Sequence, residues 1–119
     1  MFTPQSFHSS FLDRHERGIS IRRVLAAALN AVEPGAAVRR YLRGNPIPKA
    51  SRVFGFGLGK AAGAMMQALA EETDLYRALI ITKHAPSLDI GPVIVLQGDH
   101  PVPGESSLSA GRAALKFVS

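Results

Sequence analysis

Cysteine is absent from the 119 residues, which removes any disulfide framework or thiolate metal site and fits a reducing, cytoplasmic setting. Long apolar runs are missing too. Nowhere is the chain apolar for the roughly 18 positions a membrane span needs, so no membrane association is expected. The first seventeen residues intersperse Phe2, Phe7 and Phe11 with Asp13 and Glu16 and do not form a secretory signal. Internal repeats and low-complexity tracts are also lacking. What is present suits one small domain: 119 residues with 46% hydrophobic content can enclose one core but not two.

Acidic residues are few, and the imbalance is local. Residues 1 to 60 hold ten of the fourteen Lys and Arg against Asp13, Glu16 and Glu33, a net +7, whereas the remainder is −2. Arg22, Arg23, Arg39, Arg40 and Arg43 fall on neighbouring helical segments, as a nucleic-acid footprint does. Only Tyr41 lies among them as an aromatic, and no recognised nucleic-acid module is present. A solvated helical surface, or one that meets another protein segment, accounts for them better, and no nucleic-acid partner is expected.

The densest signal is Arg52-Val53-Phe54-Gly55-Phe56-Gly57-Leu58-Gly59-Lys60-Ala61-Ala62-Gly63-Ala64-Met65-Met66. An apolar run breaks at alternating glycines and a lysine, then resumes at helical spacing, which reads as strand, tight turn and helix start. The first N–H groups of a helix lack intrahelical partners and carry the positive end of its dipole, so an anion can bind there through backbone. Glycine permits the turn and close approach.

Spacing separates the motifs that use such turns. A P-loop requires glycine where Phe54 stands and a hydroxyl where Ala61 stands. Gly57-Leu58-Gly59-Lys60-Ala61-Ala62 satisfies the dinucleotide pattern G-x-G-x-x-A. The acid expected about 20 residues later is missing, because the next strand ends in Thr82-Lys83-His84. The glycines alternatively serve only close packing of strand on helix.

Periodicity supplies the remaining elements. Ile21, Val24, Leu25, Ala28, Leu29 and Val32 recur as one helical stripe closed by Pro34, and a second helix runs from about Gly35 to Arg43. Strands are expected at Arg52 to Phe56, Arg77 to Thr82 and Pro92 to Leu96, with helices from Lys60 to Glu72 and from Glu105 onward through Leu108, Leu115 and Val118. This order predicts an α/β layer with a largely parallel sheet and a right-handed crossover over residues 57 to 76. Ligands of such sheets bind beyond the carboxyl ends of the strands. Gly57 to Lys60, Lys83-His84 and Asp99-His100 are thereby brought to one rim. Asp99 is a potential metal ligand, but one carboxylate makes a poor magnesium site; no metal-binding residue is assigned.

The stretch Gly98-Asp99-His100-Pro101-Val102-Pro103-Gly104-Glu105-Ser106, taken with Gly57-Leu58-Gly59-Lys60-Ala61-Ala62 and Ile81-Thr82-Lys83-His84 in that order, resembles the N-terminal domain of the class II glycerate kinases. These are the glycerate 2-kinases of the MOFRL family, whose older label is hydroxypyruvate reductase. The resemblance runs from about Ser20 to Ser119. It implies a Rossmann-like three-layer α/β/α domain at residues 19 to 119, preceded by an extension at residues 1 to 18. It further implies phosphoryl transfer from ATP, with Mg2+, to the 2-hydroxyl of D-glycerate, in a cleft shared with a second domain.

Lys60 matches the family's active-site lysine, which suits charge stabilisation of a phosphoryl group or the glycerate carboxylate. Gly57, Gly59, Lys83 and His100 accompany it as phosphate or substrate contacts. His100 reads equally as a proton shuttle or a loop-holding residue, and Lys83 equally as a solvated strand-end charge. Gly104 stands where the family motif carries aspartate, which removes the expected helix cap.

Family members are much longer, and this sequence stops at Phe117-Val118-Ser119 without a helix terminator. The expectation is therefore an incomplete sheet, completed by a C-terminal domain or a homo-oligomer partner, and little activity in isolation. Two other functions stay open. One is an NAD(P)H-dependent hydroxypyruvate reductase; the other is a noncatalytic α/β remnant or interaction module.

Overall fold

The computed structural model describes residues 1–49, 52–84, 88 and 90–119. The chain divides into two compact units, Met1–Glu33 and Pro34–Ser119.

The first unit is a 3-10 turn at Pro4–Phe7, a short helix α1 (Ser10–Arg14) and α2 (Gly18–Ala31). A stripe at four-residue spacing on α2, formed by Gly18, Arg22, Ala26 and Asn30, receives the N-terminal segment. Gly18 sits so close to α1 that a Cβ there would collide with the Leu12 carbonyl oxygen. Arg22 forms an ion pair with Asp13. Asn30 clasps the Phe2 backbone in both directions, its Nδ2 donating to the carbonyl at 2.8 Å and its Oδ1 accepting from the N–H at 2.7 Å. Ile21, Val24, Leu25, Leu29 and Val32, the stripe that periodicity singled out, remain uncovered by their own unit.

The second unit opens with α3 (Pro34–Gly44) and continues as β1 (Phe54–Leu58), α4 (Ala62–Glu72), β2 (Arg77–Thr82), β3 (Val93–Gln97) and α5 (Glu105–Val118). The three strands form one parallel open sheet in the order β1-β2-β3. This is the expected α/β class, with the layout of an incomplete Rossmann-like domain. Strand β2 lies in the middle and is covered on both faces: Ala78, Leu79 and Ile80 are at most 2% exposed. Such double coverage is why its sequence is apolar without alternation.

Residues of β1 alternate between the two faces. Gly55 and Gly57 turn toward α4, where Ala62 and Met66 pack with Ala78 and Ile80. Phe54 and Phe56 turn toward α5, where both meet the Phe117 ring. The helices thus lie on opposite faces of the sheet. On α5 the inward positions are Ser107, Ala110, Ala114 and Phe117, while Leu108, Leu115 and Val118 are exposed. Small residues let α5 approach the sheet, so the large apolar positions in its sequence do not mark its packed face.

Strand β1 and helix α4 have bounds that differ by two residues from the periodicity-based expectation. Strand β1 begins and ends two residues later, because its glycines are packing positions inside the strand rather than breakers. Helix α4 begins at Ala62 rather than Lys60, because Gly59 adopts φ +101° and the chain turns through Lys60 and Ala61 first.

Candidate active site

The three motifs meet at the carboxyl end of the sheet. Gly59, Lys60, Lys83, Asp99 and His100 line one cleft of about 460 Å³, together with Leu58, Thr82 and the α5 residues Ser107, Gly111 and Ala114. Each strand delivers its part through its own end: Lys60 follows β1, Lys83 follows β2, and Asp99-His100 follows β3 by way of Gly98. Two main-chain bonds hold these ends in register. Gly59 N–H donates to the Ile81 carbonyl at 2.9 Å, and Gly98 N–H donates to the Thr82 carbonyl at 3.0 Å.

Gly59 therefore spends its amide on the sheet and not on a ligand. Its positive φ is what redirects the chain. Among the described residues, the amides that follow it, those of Lys60 and Ala61, have no hydrogen-bond partner. They sit just before α4, where the helix dipole is positive, and the exposed Lys60 side chain accompanies them. Gly57 does not join the cleft. It lies within β1, and a Cβ there would meet Ala62 Cβ at 3.1 Å, so its small size serves strand–helix packing.

Asp99 has a structural partner set. Its Oδ2 accepts from Gly104 N–H at 3.1 Å and Ser107 N–H at 3.0 Å, and its own N–H donates to Ser107 Oγ at 2.8 Å. These bonds, the Ser107 amide foremost, hold the Asp99 carboxyl below its ordinary range. Gly104 offers no side-chain cap to α5; the carboxylate from five residues earlier does that work. A side chain at Gly104 would crowd it, with Cβ 3.0 Å from Asp99 Oδ2.

Sequence reasoning did not identify Ser107, Gly111 or Ala114 as cleft residues. Their signal was available as small residues at helical spacing on one side of α5. Three of the five arginines on the basic helical segments have carboxylate partners: Arg39 bonds Glu71 at 2.7 Å, Arg43 bonds Glu72 at 2.9 Å, and Arg22 meets Asp13. Arg39 holds the Glu71 carboxyl below its usual range. A larger concavity of about 860 Å³, lined by Leu42, Pro46, Arg52, Val53, Leu75 and Pro92 among others, lies at the amino ends of the strands. None of Gly57, Gly59, Lys60, Lys83 and His100 borders it. No described helix is long and apolar enough to cross a membrane.

Among the described residues no three His, Asp or Glu side chains gather as a metal site, and the Asp99 carboxylate is committed to α5. The donor set does not fit a resident magnesium ion. Two lysines and two open amides instead fit the oxygen atoms of a phosphate or carboxylate.

Comparison with known proteins gives the same direction. A family model described as a domain of unknown function (DUF4147) matches residues 20–119. A glycerate 2-kinase of Pyrococcus horikoshii is 25% identical over 117 residues, covering 91% of this chain and 26% of that protein. A protein of Agrobacterium vitis with the provisional name hydroxypyruvate reductase is 31% identical over 101 residues, covering 82% of this chain and 22% of its own length. The chain thus spans about a quarter of the length of these curated relatives. No solved structure gives a significant match. With its family match running from residue 20 to residue 119, the chain belongs to the DUF4147 family, in keeping with the sequence resemblance to the N-terminal domain of the class II glycerate kinases.

Proposed function

We propose that this chain supplies the anion-binding half of a glycerate 2-kinase site, at which ATP phosphorylates the 2-hydroxyl of D-glycerate. The observation that carries this reading is the gathering of Lys60 and Lys83 in one cleft at the carboxyl end of the sheet, next to the turn in which the Lys60 and Ala61 amides are unpartnered. Phosphoryl transfer asks a protein chiefly for positioning and charge stabilisation, and these groups offer both. In the reaction the substrate hydroxyl oxygen bonds to the γ-phosphorus of ATP while the bond from that phosphorus to the ADP oxygen breaks. Lys60 and Lys83 balance the charge on the transferring phosphoryl group or the glycerate carboxylate. His100 brings an imidazole to the cleft wall and is assigned to accept the hydroxyl proton or to orient the substrate. The name of the Pyrococcus horikoshii relative points the same way.

The test is ADP release from ATP dependent on D-glycerate. It is run with the 119-residue chain and with the product of its coding sequence wherever that sequence extends past Ser119. Glycerate-dependent ADP release by the extended product is expected, with far less from residues 1–119 alone. An extended product that binds neither ATP nor glycerate refutes the assignment.

A nicotinamide-dependent reductase is the second reading, supported by the name of the Agrobacterium vitis relative. The strand position of Gly57 and the Lys83 at the end of β2 speak against a dinucleotide there, since that fingerprint needs its first glycine in the turn and an acid near the next strand end. Loss of nicotinamide absorbance with hydroxypyruvate, in place of ADP release, marks that alternative.

A further inference from the structure

Gly111 lies in the middle of α5, and nothing in the packing of the fold asks for a glycine there. Glycine weakens a helix interior relative to alanine, so it is expected only where a side chain has no room or the backbone must turn. Gly18, Gly55 and Gly57 have no room, and Gly59 holds a positive φ. Gly111 meets neither condition. A Cβ built on it touches no atom within 4 Å, and its φ is not positive. The open space beside it is the cleft, which it lines with Lys60 and Lys83.

The cleft has walls of two kinds. Lys60, Lys83 and His100 come to it from the carboxyl ends of the strands. Gly111 lies about 9 Å along the helix from Glu105, set back from that rim, and shares the cleft with Phe56, Leu58 and Ala114. Phe56 and Leu58 are on the α5 face of β1, yet they remain 50% and 72% exposed. Behind the cationic rim there is thus an apolar recess with a bare stretch of helix backbone. D-glycerate carries an oxygen on each of its three carbons and gains nothing from such a recess. A purine base is flat, its faces are apolar, and the phosphates of its nucleotide extend from it toward positive charge. We infer that Gly111 is a specificity-determining residue of the cleft: its missing side chain lets the adenine ring of ATP lie against α5 beside Phe56 and Leu58 while the phosphates reach Lys60 and Lys83. This placement takes ATP from the kinase reading and adds where the base sits and which residue admits it.

Binding and melting of Gly111→Leu and Gly111→Ala test it, in the product of the coding sequence wherever that extends past Ser119 and otherwise in the 119-residue chain. The titrants are ATP and inorganic tripolyphosphate, which has the phosphates without the base. Gly111→Leu should weaken ATP binding about tenfold or more and leave tripolyphosphate affinity unchanged. Gly111→Ala should bind ATP with intermediate affinity and melt above the wild type, because alanine favours the helix and its Cβ meets no atom. Unchanged ATP affinity in Gly111→Leu, an equal loss of tripolyphosphate, or a loss confined to D-glycerate overturns the inference. So does a lower melting temperature for Gly111→Ala, which marks a polypeptide segment seated against Gly111. Glycerate-dependent ADP release by the wild type, combined with unchanged ATP affinity in Gly111→Leu, refutes only the role of Gly111. A wild type that binds ATP but releases no ADP with glycerate refutes only the kinase reading, and one that binds no ATP refutes both.

Discussion

Asp99 and Ser107 cap each other across the loop that enters α5, the aspartate N–H donating to the serine Oγ at 2.8 Å and the serine N–H donating to the aspartate Oδ2 at 3.0 Å. This exchange fixes the end of β3 to the start of α5 and so sets one wall of the cleft. It also explains how a glycine is tolerated at position 104, since the cap comes from elsewhere in the chain. Asp99→Ala should fray the first turn of α5, because a removed cap leaves helix amides unsatisfied. The expected readout is a lower melting temperature with faster exchange at the Ser107 amide. Unaltered exchange there argues that the cap is redundant.

The same carboxylate makes a pH signature. Its pKa is lowered in the folded chain, so its contribution is fully present above the unfolded aspartate value of about 3.9 and is lost as pH falls through the folded value. Melting temperatures of the wild type and Asp99→Asn should therefore differ by a constant amount above about pH 5 and converge under more acidic conditions. A difference that widens on acidification contradicts the assignment.

Gly57 and Gly59 should separate packing from turn geometry. Gly57→Val forces branched carbons against Ala62, Met66 and Ile80, and overpacking of this kind costs about 1–3 kcal/mol. Gly59→Ala meets no atom within 4 Å but must hold φ +101°, a left-handed strain of about 1–2 kcal/mol. Urea unfolding should register both. ATP titration should find altered affinity for Gly59→Ala, whose turn aims the neighbouring amides, and near-native affinity for any Gly57→Val protein that remains folded.

Much of the fold was legible because β2 is apolar without interruption and because turn residues punctuate every element. The bounds of β1 were not, since Gly55 and Gly57 carry the appearance of breakers while their absent side chains make room for Met66 and Ala62. The packed face of α5 was not legible for a related reason: Ser107, Ala110 and Ala114 pack because they are small, whereas Leu108, Leu115 and Val118 point outward. Convergence of Lys60, Lys83 and His100 followed from strand order and the carboxyl-end rule. The capping role of Asp99 did not, because its partners lie five and eight residues away and depend on the path of the intervening loop.

Lys60 gives the most direct test of the cleft. Removing one preorganised charge-stabilising group commonly costs about 10²–10³ in turnover, and its side chain is exposed with no packing to lose. Lys60→Ala in the active, extended protein should therefore lower kcat/KM by about that factor without shifting the melting temperature. Lys60→Arg should restore part of the loss if charge alone matters, and little if the compact ammonium must approach the open amides. Lys83→Ala, whose charge enters the cleft from a different strand, should mainly raise KM if it holds the glycerate carboxylate. Comparison across the two substrates decides its role: a KM change confined to ATP moves Lys83 to the nucleotide phosphates. Wild-type kinetics in Lys60→Ala dissociate the cleft from catalysis altogether.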